Sequence, residues 1–231
     1  MDTRPPLRRA VAALSGLLLL AASGAAFGNP PTRKEIDQAL LAVSQDALQP
    51  VRDAEAALEA GQRQEELIGQ ELAVARLDQA AAKAWVDASD GVSKALDASR
   101  KGADAANRTS ELEDIGARQA RAGKTQEWRD ARHEAAKQGL DLQQARLAWA
   151  KAEVARLEIA LELARLDVYA AAIEANIEQA NEARAEGGRA QVRLAKQARI
   201  VNKELGKVQT AERDLKDATR RAEALDPNTG G

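Results

Sequence analysis

Few side chains in this sequence could carry out chemistry, and their spacing argues against most reactions. His133 is the only histidine in 231 residues, and there is no cysteine. A histidine cluster for a metal, a thiolate nucleophile and a disulfide are therefore excluded, and any Ser-His-Asp triad would have to be built on His133. Residues 116–125, Gly-Ala-Arg-Gln-Ala-Arg-Ala-Gly-Lys-Thr, imitate a phosphate-binding loop. That motif needs four residues between its first glycine and Gly-Lys-Thr and a strand before it. Here the gap is six and the surroundings are helical in pattern, so the likeness is rejected. Carboxylates are plentiful, but nearly all have Arg or Lys three or four residues away, as Glu153 has Arg156. This is how charges are placed on a solvated helix surface, and His133 is expected on such a face. Trp85, Trp128 and Trp149 read as packing residues within a bundle, with partner anchoring as the alternative. The reading is non-enzymatic, with no catalytic, metal or cofactor-binding residues, no cofactor and no small-molecule substrate.

Composition points the same way. The sequence is 45% apolar but only 2% aromatic, and alanine makes up much of the apolar share. Alanine buries little area, so a thick globular core is not expected. Ala, Leu, Glu, Arg, Lys and Gln dominate, as in long helices and coiled coils. The net charge of -2 gives no basic excess for nucleic acid.

The first residues read as an address. Arg4, Arg8 and Arg9 form a basic region, and Ala10 to Leu20 begins an apolar one. Ala26 and Gly28 stand at the -3 and -1 positions of a small-residue cleavage site before Asn29. Residues 1–28 are thus expected to be a signal peptide, with an uncleaved membrane anchor as the alternative. Cleavage removes three basic residues and one acidic one and leaves a net charge of -4. No second long apolar run follows, so the mature chain is expected to be soluble, in a bacterial periplasm or secreted.

The elements follow from punctuation and periodicity. Thr32 with Glu35 forms a capping box after Pro31, opening a short helix within 29–50 that Pro50 breaks or kinks. A long-helix bundle is expected over 51–225. In its first helix Leu67, Val74, Leu77, Ala81, Ala84 and Ala88 keep helical spacing. A loose tip is expected at 101–124, where Gly102, Gly116 and Gly123 fall. Residues 226–231 form a polar tail.

The helix around residues 157–173 carries two heptad stripes about 180° apart. One comprises Leu147, Ala150, Val154, Leu157, Leu161, Ala164 and Val168. The other comprises Ile159, Leu163, Leu166, Ala170, Ile173, Ile177 and Ala180. A helix needs one apolar stripe per partner, so this one is expected to lie between two others. Leu194, Ala198, Val201, Leu205, Val208 and Leu215 form a seam in the last helix. A fold-back at Gly187-Gly188 would set Ala180 against Leu194 and Leu166 against Val208. One continuous helix through the glycines is the alternative. The segment before residue 101 would then cover the first stripe.

The expected fold is all-α: an elongated antiparallel bundle of about three long helices. The expected function is a scaffold, spacer or adaptor in the bacterial cell envelope, working through protein partners. A periplasmic holdase chaperone and a membrane-tethered coiled coil are the alternatives, and oligomerisation is left open.

Overall fold

The structure, a computed structural model, describes residues 30–227. The expected signal peptide and its cleavage site at Ala26, Gly28 and Asn29 lie outside the described residues, as does most of the polar tail. Residues from Pro31 on form one compact unit. It is all-α, a bundle of long helices: α1 (Arg33–Leu40), α2 (Gln49–Ala105), α3 (Thr109–Ala172) and α4 (Ile177–Ala224). At 1.5 Å per residue α3 is about 96 Å long.

The capping box forms as its residue types require. Thr32 donates its backbone N–H to Glu35 Oε2 at 2.7 Å, and Thr32 Oγ1 accepts from the Glu35 N–H at 3.4 Å. The Thr32 backbone N–H and its hydroxyl, which donates to Glu35 Oε2 at 2.8 Å, both favour the ionised carboxylate, so the Glu35 pKa is lowered. α1 ends at Leu40, well before Pro50. Pro50 occupies the second position of α2, where the first-turn N–H it lacks has no intrahelical partner.

α2 and α4 each run along α3, and no Cα of α2 comes within 8 Å of one in α4. The middle helix therefore needs two apolar stripes, and each is occupied. On the first stripe, Leu157 and Val154 meet α2 at Gly61. A Cβ there would stand 2.7 Å from Leu157 Cδ1, so glycine permits the close approach. On the second, Leu163 Cδ1 lies 3.8 Å from where a Cβ would sit on Gly187 of α4. Leu166 is the most enclosed leucine of α3, 2% exposed. Polar ties reinforce both seams. Arg165 pairs with Glu55 of α2 at 2.8 Å, and Arg193 of α4 pairs with Glu162 at 2.6 Å. Gln197 of α4 donates to the Ala152 carbonyl at 3.0 Å.

Both turns differ from expectation. The fold-back is not at Gly187-Gly188: α4 runs straight through them, and no described glycine has a positive φ. The chain reverses at 173–176 instead, where the Asn176 N–H donates to the Ile173 carbonyl at 2.8 Å. The Asn176 side chain then caps α4 by accepting from the Gln179 N–H at 3.4 Å. Two interior glycines cost only about 2 kcal/mol relative to alanine, which packing along α3 outweighs. The expected partners shift with the turn: Arg146 meets Glu212 at 3.0 Å, and Ala180 and Leu194 lie in one helix. Ile177 is the first residue of α4, not a continuation of the α3 stripe, and is 72% exposed.

The loose tip is instead a tight helix–helix turn. α2 continues to Ala105 and α3 starts at Thr109, so Gly116 and Gly123 are helical. The Arg108 N–H donates to the Ala103 carbonyl at 3.0 Å and the Asn107 N–H to the Asp104 carbonyl at 3.0 Å. Asn107 has φ 51°. This is a Schellman C-cap with asparagine in the left-handed position usually held by glycine.

Candidate functional site: the outer face of α2 and the clefts beside α3

The residues of the sequence-expected seams fall in several settings. On α3, Leu166 and Val168 are buried, and Leu147, Val154, Leu157, Ile159, Leu161 and Leu163 are half-buried. Ile173, just past the end of α3, is also half-buried. On α4, Val201 and Val208 are buried, Leu194 and Leu215 half-buried, and Leu205 lies just on the exposed side.

α2 departs from expectation. The face it turns toward α3 carries Val51, Ile68, Leu72, Ser89 and Ala103, all buried. Leu67, Val74 and Leu77, read from the sequence as the packing seam, are 59%, 57% and 70% exposed. Ala81, Ala84 and Ala88 are exposed with them. α2 thus has two apolar faces about 150° apart, and α3 occupies only one. The open face continues through Gly91 and Ala95, about 42 Å from Leu67 to Ala95.

Two clefts flank α3. The first, about 550 Å³, lies between the α1–α2 connection and the end of α3 and is lined by Val43, Ala47, Pro50, Leu163, Val168 and Asp167 among others. Its lining is apolar except for Asp167, whose partly desolvated carboxyl has its pKa raised. Beside it Tyr169 is buried with Ala170 and Ala183, and Ile36, Ala39 and Ile173 close over them. Burial, then the charges of Glu35 and Glu182, raise the Tyr169 pKa.

The second cleft, about 580 Å³, opens where α2, α3 and the end of α4 converge. Arg132 lies between Trp85 and Trp128, 5.4 and 5.3 Å from the ring centroids. At such distances the rings attract the guanidinium, and here they join α2 to α3. Arg129 adds a polar link, donating to Ser89 Oγ at 2.7 Å. Trp149 is half-buried on α3.

His133 is half-buried, not on a solvated face, and its Nε2 is shut off from solvent without a hydrogen-bond partner. The phosphate-loop imitation lies wholly inside α3 as regular helix, so its backbone N–H groups point along the helix, not into a cradle. Among the described residues no three acidic or histidine side chains gather to hold a metal. No helix among them is long and apolar enough to cross a membrane.

Comparison with protein-family models, curated proteins and solved structures gives no match. The outer face of α2 is the surface that the fold itself leaves unexplained. The periodicity of Leu67, Val74 and Leu77 marks it in the sequence. Its outward orientation is not marked, because the opposite face has the same spacing.

Proposed function

We propose that this protein is a non-enzymatic helical scaffold or spacer, exported to the bacterial envelope, that docks protein through the outer face of α2. The observation that supports this most is the pair of apolar faces on α2, one packed on α3 and one open. An exposed heptad stripe of leucine, valine and alanine on a long helix suits another helix. A slender three-helix unit offers shallow clefts, whereas substrate sites are typically enclosing pockets. Export rests on the N-terminal pattern alone.

The test is a cross-linked pull-down of the protein from its native envelope, read by mass spectrometry. One or two stoichiometric partners, which include a second copy of the chain, are expected. A broad set of unfolded membrane proteins would replace the scaffold reading with a holdase. Mass spectrometry of the purified chain also tests export: a first residue at Asn29 is expected, and retention of residues 1–28 would replace export with tethering.

A further inference from the structure

We infer that the open face of α2 pairs with the same face of a second copy, antiparallel, about a two-fold axis at Gln79. This deepens the docking-surface reading and rests on it. The argument begins with size. In that alignment the partner's Gly91 faces Leu67, the partner's Ala84 faces Val74 and the partner's Ala81 faces Leu77. Leu67, Val74 and Leu77 each meet a small residue, and the two-fold repeats every contact. Large-against-small layers let two helices interdigitate at close range.

Charge agrees with size. Glu59 and Glu66 flank one half of the face, and Lys94 and Lys101 flank the other on the same side; all four are exposed. In a parallel pair this edge meets the opposite edge of the partner, so the lysines find no acidic partner there and Glu66 falls beside the partner's Glu71. The antiparallel pair sets Glu66 against the partner's Lys94. It also sets Glu59, which meets Arg63 within its own helix at 3.1 Å, against the partner's Lys101. The two-fold makes four such attractions. One like-charge contact remains, Asp78 with the partner's Asp78 at the axis. A partner of unrelated sequence has no reason to match both patterns, whereas the chain matches itself.

Sedimentation of the full chain tests this. A dimer of the 24.7 kDa chain is expected at low micromolar concentration. Leu77→Asp should give a monomer with unchanged far-UV circular dichroism, because Leu77 is 70% exposed within one chain and supports none of its core. Glu66→Lys should weaken association about tenfold, and adding Lys94→Glu to the same chain should restore it. Asp78→Asn should tighten it. The chain has no cysteine, so single substitutions report geometry cleanly. Ala80→Cys, beside the axis, should cross-link to itself through a short bismaleimide. Ala98→Cys should not, since antiparallel copies hold it about 57 Å apart. A wild-type monomer at about 100 µM, well above a micromolar dissociation constant, overturns the inference. So does a dimer indifferent to Leu77→Asp, or cross-linking through Ala98→Cys. A monomer that still captures one stoichiometric partner leaves the docking surface standing and removes only self-pairing.

Discussion

Replacing both Gly187 and Gly188 with alanine distinguishes the observed topology from its nearest rival. In a turn, one or both glycines would use backbone angles that alanine tolerates poorly, and the change would destabilise. In a continuous α4, each exchange recovers the helix propensity lost at a glycine, about 0.8–1.0 kcal/mol. Space decides whether that gain survives. A methyl on Gly188 meets nothing within 4 Å. One on Gly187 meets Asp167 Oδ1 at 3.7 Å and Leu163 Cδ1 at 3.8 Å, ordinary van der Waals contact. Neither gain is offset, so the double variant should be about 2 kcal/mol more stable, or about 4–8 °C higher in Tm for a chain of this size. Urea titration followed at 222 nm should show a higher midpoint with an unchanged slope. A destabilised double variant would refute a helix that passes through these glycines, and with it the turn at 173–176.

Three further outcomes follow from the same packing. Leu166→Ala should cost about 3 kcal/mol by chemical denaturation, and Leu166→Asp should abolish cooperative melting by burying an unpaired charge. Leu161→Asp, at a half-buried position, should cost less; equal effects would place both leucines in one environment. Asn107→Gly should match or exceed the wild type, whereas Asn107→Ala should lose about 1 kcal/mol, because alanine resists φ 51°. Partial desolvation raises the Asp167 pKa above its usual value, so the native state holds this proton more tightly than the unfolded chain. That contribution is present below the ordinary aspartate pKa and is lost as pH rises through the raised one. Asp167→Asn should therefore be more stable than wild type at pH 7 and lose its advantage near pH 3. An advantage that grows on acidification would overturn the assignment.

The sequence made some of this plain and obscured the rest, for identifiable reasons. The double stripe of α3 was legible because Leu, Ile and Val stand out against charged flanks. α2 was ambiguous, since alanine and glycine carry little contrast and both of its faces repeat at the same interval. Leu67 and Leu77 drew the eye to the wrong side, while Gly61, which permits the closest approach to α3, reads as a helix weakness. The turn at 173–176 holds neither glycine nor proline, and Gly187-Gly188 drew attention away from it. A signal was nonetheless there: Asn176 followed three residues later by Gln179 fits a helix start. Asn107 likewise suits a left-handed cap, which the glycines around it masked. The candidate surface was visible as a pattern in the sequence, but only the packing of α3 showed that it faces outward.

The three long passes of α2, α3 and α4 have a mechanical consequence. Because their number is odd, α2 and α4 run in the same direction, and α4 ends beside Trp85 and Trp128, far along the unit from the start of α2. Tension applied between those points runs along the helix axes. It loads the α2–α3 and α3–α4 seams in shear, so the contacts of a seam must slip together. With two or four passes the ends would meet at one side, and the same tension would peel the helices apart one contact at a time. The arrangement suits a strut that spans a gap of about 50 Å and resists being pulled across it.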